Sequence, residues 1–592
     1  MIKQKWMVQA KTADFQGLGK SLGVDPVTVR LLRNRGLKSE AEMRRFLEGG
    51  KEALHDGGSM LGMDVAVEIL LEKIRSRKEI RIIGDYDIDG ITATYILERT
   101  IRAMGGAVSH KIPHRITDGY GLNENLIRQA HEDGMDTILT CDNGIAAMDA
   151  IALGKHLGMT IVVTDHHSIP FEEDEGGNRR YLRSEADVIV NPKQEECIYP
   201  YPDICGAFVA FKLSEQLLRK SDLSEEEKEK LWENLCMYAA IGTVGDIMDL
   251  QEENRAIVRL GLSLIHKTDD VSLVALMKAC NLEKEKINAY HIGFVLGPCF
   301  NASGRLKTAE MALDLLLHKE PEACEKLAEE LVILNEERKR LTKEQTEVAI
   351  TQVLEEGAED KVLVVFLPDC HESIAGIIAG RVREYFYRPT MVVTRGEEGL
   401  KGSGRSIEGY SMFEEMTKVA DCFTKFGGHP MAAGFSLEEE KLSELKRRLN
   451  DNCGLTEEDL QEKVHIDAPM PMDYVTMPLV NEFSRLEPFG KGNEAPLFAQ
   501  KNLEILHYME VGRERKFVKL LLRTEYNNQF PGIYFEEPEK FKEFLKDKFG
   551  QDMADEITSG KQTGAKISAC YIPEVNSYQN MNTLQMRIKY VS

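Results

Sequence analysis

The sequence predicts a mixed α/β protein: a parallel-sheet unit, a long connecting helix, a second α/β unit and a terminal small β-barrel. Three observations carry that expectation. Between about residues 60 and 250, short apolar runs alternate with helical stretches, the pattern of a doubly wound parallel sheet. From Glu322 to about Glu356 the helical pattern runs unbroken and would span roughly 50 Å at ~1.5 Å per residue. After about residue 460, short alternating runs such as L-E-I-L-H-Y-M and L-Q-M-R-I-K-Y-V suggest barrel strands. The chain has 592 residues, enough for three or four units at ~100–200 residues each. The expected divisions are a helical leader over 1–55, the first α/β unit over 56–320, the connecting helix over 321–357, the second α/β unit over 358–458 and the barrel over 459–592.

In the leader, Asp25-Pro26 and Ser39 are helix starts and Gly36 a stop. The first α/β unit offers strands at Ile80–Ile83, Thr137–Thr140, Thr160–Thr164 and Val188–Val190. In such sheets ligands bind beyond the carboxyl ends of the strands, and that is where this chain collects its acids and histidines. The first strand runs into D-Y-D-I-D-G, which delivers Asp85, Asp87 and Asp89 at alternate positions and so to one side of an extended segment. Three carboxylates facing one way repel unless a cation lies among them. A calcium-binding EF-hand loop also opens D-x-D-x-D-G, but its twelfth position needs a bidentate Glu, and here Ile96 stands there after a strand instead of a helix. A solvated acidic turn is the blander alternative.

The second strand is followed by Cys141-Asp142-Asn143-Gly144 and the third by Asp165-His166-His167. A lone Asp after a strand is commonly a helix N-cap. Two adjacent histidines are less easily explained as caps, and imidazole with carboxylate suits Mn²⁺, Fe or Zn²⁺. Asp165 is placed to fix a ring tautomer from behind. The small-residue run Ala239–Gly245 then presents Asp246 as a fourth wall.

Bulk properties narrow the class. No membrane-length apolar run and no export signal are found, so a soluble, cytoplasmic protein without membrane association is expected. Eleven cysteines occur without a C-x-x-C pair, which points away from zinc ribbons and disulfide frameworks. A net charge of −23 argues against a basic coat for nucleic acid but leaves room for a local basic channel.

Taken in order, D-Y-D-I-D-G, D-N-G, D-H-H and G-T-V-G-D resemble the four motifs of the DHH phosphoesterase superfamily, and with the later motifs its RecJ branch of single-strand-specific DNA exonucleases. The resemblance covers nearly the whole chain. It implies metal ligation by Asp85, Asp87, Asp89, Asp142, His166 and Asp246, with Asp142 bridging two ions and His167 touching the scissile phosphate. Whether Asp85 or Asp87 ligates directly stays open.

Beyond residue 251 the chain reads mostly as helix, interrupted at P-C-F-N-A-S-G-R-L. Small residues let backbone approach a phosphate, which an Arg can grip in bidentate fashion; a turn with a surface Arg is the alternative. The resemblance makes Arg305 a phosphate contact with Asn301 as its partner. A two-stranded coiled coil is disfavoured for the long helix by its few apolar heptads.

In the second α/β unit three small polar loops are expected, at His371-Glu372-Ser373, Gly402–Ser406 and Gly427–Gly434. Glycine clusters expose N–H groups that cradle phosphates, although each could be a plain turn. The set resembles the DHH-associated domain. By that resemblance Arg405 and Ser406 hold a terminal 5′ phosphate or nearby backbone, His371 and His429 approach the nucleotide across a cleft between lobes, and Ser403, Gly427 and Gly428 are further substrate-binding positions.

The barrel fits an OB-fold, whose surface binds single strands by stacking bases in a basic groove. Arg513, Arg515, Lys516, Phe517 and Lys519 are the candidate contacts, with a solvated edge strand as the alternative.

The expected activity is 5′-to-3′ hydrolysis of single-stranded DNA to mononucleotides in recombination and mismatch repair. Two divalent ions, Mn²⁺ or Mg²⁺, are the expected cofactors, held ~3.5–4 Å apart. Asp85, Asp87 and Asp142 would hold one; Asp89, Asp142, His166 and Asp246 the other. A monomer is expected, with a single-strand-binding protein and a helicase as candidate partners. A DHH enzyme for short RNA or cyclic dinucleotides and a non-catalytic DNA-binding scaffold are the alternatives; the barrel opposes the first, the full ligand set the second.

Overall fold

Parallel strands lie in the order Val108–Lys111, Ile80–Ile83, Thr137–Cys141, Thr160–Thr164, Val188–Val190, forming one five-stranded sheet. The computed structural model describes residues 4–115, 117–119, 121–173, 179–356, 359–396, 399–578 and 581–592; the expected boundary at 357/358 lies outside them. The chain leaves the Ile80–Ile83 strand toward one edge and returns on its other side with Thr137–Cys141, so these two strands flank the topological switch point where such sheets bind ligands. The Val108–Lys111 strand was not expected. Its Ser109, His110 and Lys111 are partly exposed on the sheet edge, so it has no apolar run to announce it.

The helix Ile88–Ala103 is buried on nearly every side, so its apolar residues form no stripe. Its threonines satisfy themselves inside the core: Thr92, Thr94 and Thr100 each donate to the carbonyl four residues earlier, at 2.7–2.8 Å, as hydroxyls in helices do. Buried Glu98 is paired with His110 at 2.7 Å and Arg102 at 2.6 Å. Fully buried Lys212 lies 3.2 Å from Glu253 and donates to the His55 carbonyl at 2.5 Å. Removing either partner of such a pair strands a buried charge and costs about 3–5 kcal/mol.

The chain divides into two compact units, one of residues 49–344 with 488–493, the other of residues 1–48, 345–487 and 494–592. A 36-residue helix, Pro321–Glu356, runs from the first into the second. The second unit holds a mixed sheet in the order Lys425–His429, Ala432–Leu437, Leu400–Arg405, Thr390–Arg395, Leu363–Phe366. It also holds a closed barrel. Phe498–Val511 pairs with both Phe517–Arg523 and Lys566–Tyr578, and Gln529–Tyr534 and Met581–Val591 complete the ring.

Two sequence expectations change here. The leader is not helical throughout, because Gln4–Val8 is a strand paired in parallel with Glu462–Ile466. Of the three polar loops, Gly402–Arg405 lies within a strand and Gly427–Gly434 forms a hairpin turning at Pro430-Met431. Glycine is unfavourable in strands on propensity, but here it lets neighbours come close: a Cβ at Gly402 would meet the Phe435 ring at 2.2 Å.

Candidate metal centre

The site grows from the loops that leave the two strands at the switch point. Asp87 caps the Ile88–Ala103 helix, its Oδ1 accepting from the N–H groups of Asp89 and Gly90 at 2.9 and 3.2 Å. The loop folds so tightly that a Cβ on Gly90 would fall 2.5 Å from the Asp85 N and O atoms, which explains the glycine closing D-Y-D-I-D-G. Asn301 holds the loop from outside, its Oδ1 accepting from Ile88 N–H at 2.8 Å.

Asp89 is held by a different element. Its two oxygens accept from Gly206 and Ala207 N–H at 2.6 and 2.8 Å, the amino end of the Gly206–Arg219 helix. Free N–H groups and the helix dipole both favour an anion there. Each oxygen keeps a further lone pair. Asp142 follows the next strand with φ of 60°, a left-handed conformation that Asp tolerates better than most residues. It is no helix cap, since the following helix starts at Met148. Gly206 packs against it so closely that a Cβ would lie 2.5 Å from the Asp142 Cβ.

The third strand delivers Asp165, His166 and His167. Asp165 is fully enclosed by donors: Ile145 N–H at 2.9 Å, His166 N–H at 2.7 Å, His167 N–H at 3.1 Å and His167 Nδ1 at 2.8 Å. Burial works against its charge, but the His167 bond and both imidazoles outweigh it and hold its carboxyl below the ordinary range. His166 Nε2 lies 3.0 Å from Asp142, 3.7 Å from Asp89 and 3.8 Å from Asp246. Asp246 ends the Glu225–Gly245 helix, so it faces the negative end of a helix dipole as well as the other carboxylates. The small-residue run before it is the last two turns of that helix.

The donors fall into overlapping groups. Asp85, Asp87 and Asp142 form one; Asp89, His166 and Asp246 a second; Asp142, His166 and His167 a third, each with ligand atoms within 4.8 Å of one another. Burial and mutual repulsion push the Asp85, Asp142 and Asp246 carboxyls well above the usual range, and Asp87 upward as well. The histidines diverge. Burial pushes the His166 imidazolium down; at His167 burial acts the same way, but the Asp165 hydrogen bond and nearby carboxylates win and hold it up to about 9. Two buried ligand atoms, Asp85 Oδ1 and His166 Nδ1, have no hydrogen-bond partner among the described residues. A cluster of buried anions, a neutral imidazole and an orphaned oxygen fits divalent cations.

Other residues gather that the sequence did not single out. Arg115 stacks on the Tyr86 ring at 4.6 Å and is one of the cations that ease Asp85. Asn191 holds the His167 carbonyl at 2.9 Å, and the charge of Lys193 is felt by His166 and Asp246. The N-P-K run after the last strand was the available signal. Arg305 sits near Tyr86, whose carbonyl oxygen would be 2.5 Å from a Cβ at Gly304.

In the second unit, Ser403 and Arg405 lie beside the Glu372–Phe386 helix, where a Cβ at Gly376 would meet the Arg405 guanidinium at 2.7 Å and Ser403 Oγ at 2.8 Å. Arg405 Nη1 donates to Ser403 Oγ at 3.2 Å and the Gly404 carbonyl at 2.8 Å. His371, Gly427, Gly428 and His429 are exposed. Ser406 corrects the expectation of a phosphate contact: it is fully buried and its hydroxyl donates to the Tyr410 carbonyl at 2.6 Å, fastening a turn. In the barrel Arg513, Arg515, Lys516 and Lys519 are exposed. Lys516 is paired with Glu514 at 2.8 Å and Phe517 packs edge-on against Phe535 at 5.1 Å.

Comparison with known proteins gives the same reading of the whole chain. Residues 79–243 match the DHH family N-terminal domain, 359–454 the DHHA1 domain and 466–590 the RecJ OB domain. The chain is 33% identical over 593 residues to the single-stranded-DNA-specific exonuclease RecJ of Bacillus subtilis, covering 99% of this chain and 70% of that protein. It is 32% identical to the Escherichia coli RecJ, covering 80% and 83%. A solved exonuclease RecJ bound to manganese is 30% identical, with TM-score 0.58 over 69% of this chain and 97% of the other. The fold also matches RecJ from Thermus thermophilus in complex with Mn²⁺, at TM-score 0.81 and 24% identity over 100% and 80%. Motifs, domain order and relatives agree: the chain belongs to the RecJ family of single-stranded-DNA-specific exonucleases.

Proposed function

We propose that the protein is a Mn²⁺- or Mg²⁺-dependent exonuclease that hydrolyses single-stranded DNA from the 5′ end to mononucleotides. The observation that carries this is the buried carboxylate cluster at the switch point, where burial and mutual repulsion outweigh the nearby Arg115, Lys193 and His167 charges and Asp85 Oδ1 and His166 Nδ1 are orphaned among the described residues. Asp85, Asp87 and Asp142 would hold one ion; Asp89, Asp142, His166 and Asp246 the second. When bound, such a pair supplies an activated water and neutralises charge on the attacked phosphate and leaving oxygen.

The protein's own residues do the rest. Asp165 orients His167 and sustains its positive charge, which suits it to stabilise a phosphate oxygen as negative charge builds. Arg305 and Arg115, both near Tyr86, add cationic donors. Asn301 and Gly206 act on position only, holding the Asp87 loop and the Asp142 backbone. In the second unit Arg405, Ser403, His371, Gly427, Gly428 and His429 are proposed to receive the 5′ phosphate or the adjoining backbone. Phe517, Lys519, Arg513 and Arg515 are proposed strand contacts of the barrel. Recombination and mismatch repair, with a single-strand-binding protein and a helicase as partners, are the setting that fits such an activity. Among the described residues no helix is long and apolar enough to cross a membrane; a cytoplasmic monomer is the proposed state.

The test is degradation of 5′-labelled and 3′-labelled single-stranded DNA in Mn²⁺, beside matched RNA and duplex. Immediate release of labelled mononucleotide from the 5′ end alone supports the reading. Intact DNA with cleavage of short RNA or cyclic dinucleotides would overturn it.

A further inference from the structure

The helical run that carries Asn301 and Arg305 begins well before them. Ala289–His291 is α-helical, Ile292–Leu296 is a π-helical turn and Gly297–Leu306 continues as α-helix. Such turns are rare and collect at functional sites. This one rests on the helix that ends at Asp246, since a Cβ at Gly293 would lie 3.5 Å from Val244 Cγ1. Tyr290 and Phe294, four residues apart, stack with ring centroids 5.0 Å apart and planes 25° from parallel. Both rings remain in solvent, Tyr290 61% and Phe294 67% exposed. Ile247, the residue after Asp246, is 66% exposed with φ of 56°, an uncommon conformation for a β-branched side chain.

A paired aromatic surface left open to water, continuous with the elements that build the metal centre, marks an interaction site. Its occupant follows from what reaches that centre. A nucleobase has a flat π-face, and stacking on an aromatic ring accepts any base. Phe294 precedes Arg305 by eleven positions, roughly 16 Å along a helix at ~1.5 Å per residue, a distance that a short single strand of a few nucleotides bridges.

We propose that Tyr290 and Phe294 form a base-stacking subsite for single-stranded DNA, seating a nucleotide within a few positions of the scissile phosphate. The proposal rests on the exonuclease reading above and deepens it. The subsite gives the enzyme a grip on sequence-independent features of the strand and makes its efficiency depend on substrate length.

The experiment is an abasic scan. A 5′-phosphorylated single-stranded oligonucleotide carries one abasic analogue at each of the first eight positions in turn, and kcat/KM for the first cleavage is measured in Mn²⁺. Wild type should show one or two positions where losing the base lowers kcat/KM about five- to hundred-fold, the range that stacking supplies. In the Tyr290→Ala/Phe294→Ala variant kcat/KM on the intact strand should fall by a similar factor and that positional dip should vanish. Tyr290→Phe/Phe294→Trp, which keeps two flat rings, should restore it. A flat scan in wild type, or an unchanged dip in the alanine variant, would overturn the subsite while leaving the exonuclease reading intact. Failure of wild type to degrade any single strand would remove both. Unchanged circular dichroism and melting of the variants would exclude misfolding as the cause.

Discussion

Two clusters in this molecule bring acidic donors equally close. One is the switch-point centre; the other is Asp421, Cys422 and Glu444 in the second unit, whose ligand atoms also lie within 4.8 Å of one another. Their electrostatics are opposite. Arg448 lies 2.7 Å from Asp421 and 3.3 Å from Glu444, and Lys441 lies 2.8 Å from Glu444. Hydrogen bonds and charge from these cations pull both carboxyls below their ordinary range. At the switch point, burial and neighbouring anions push carboxyls the other way. Proximity of donors therefore does not by itself suit a site to a metal; buried charge that nearby cations only partly offset does.

The contrast can be tested from its strongest arm downward. Asp142→Asn keeps a residue that tolerates positive φ but removes the charge shared by two donor groups. It should lower Mn²⁺-dependent hydrolysis of single-stranded DNA at least ~10³-fold, the several kcal/mol expected of lost metal-borne stabilisation, and reduce the Mn²⁺ stoichiometry read by titration calorimetry. Asp165→Asn, which removes no member of the donor groups but weakens the support of His166 and His167, should cost about 10–100-fold in activity. Urea unfolding should place it close to wild type in m-value. Gly206→Ala drives a Cβ into Asp142 and should destabilise the fold by about 1–3 kcal/mol as an overpacked site, with weaker Mn²⁺ binding measured alongside.

Smaller effects separate the two clusters by pH. A carboxyl whose folded pKa is raised binds protons in the native state that the unfolded chain has already released. Stability then falls as pH rises from the ordinary carboxylate value of about 3.9 through the raised one. The chelated protein should accordingly melt at a higher temperature near pH ~5 than near pH ~8; Mn²⁺ should raise the melting point most at the higher pH. A chelated protein that melts lower at the acid end would break the account. Asp421→Asn should do least: its carboxylate is 64% exposed, and Mn²⁺ stoichiometry, activity and melting should match wild type.

Much of the first cluster was legible because its residues sit where strands stop. Apolar runs mark the ends, and carboxylates or paired histidines just beyond them are hard to explain as caps. The sequence could not show that Asp246 comes from a helix, because Ala239–Gly245 is buried on so many sides that its helical period is lost. Nor could it expose Arg115, Asn191 and Lys193, whose roles depend on which loops meet in space. In the second unit the reading of glycine as loop failed for a physical reason: Gly402 and Gly404 are small so that the Phe435 ring and the Met412 side chain can close on them, not so that the chain can turn. Ser406 misled in the same way, since a hydroxyl near an Arg can serve its own turn as readily as a phosphate.

The parallel pairing of Gln4–Val8 with Glu462–Ile466 has a consequence for synthesis. At ~5–20 residues per second a ribosome needs roughly half a minute or more to travel between the two. During that interval residues 49–344, a compact unit contiguous but for a six-residue insert from 488–493, can assemble ahead of the unit that surrounds them in sequence. The strand that emerges early is thus placed late, and while it waits its unpaired backbone is open to wrong partners, nascent copies of the same chain among them.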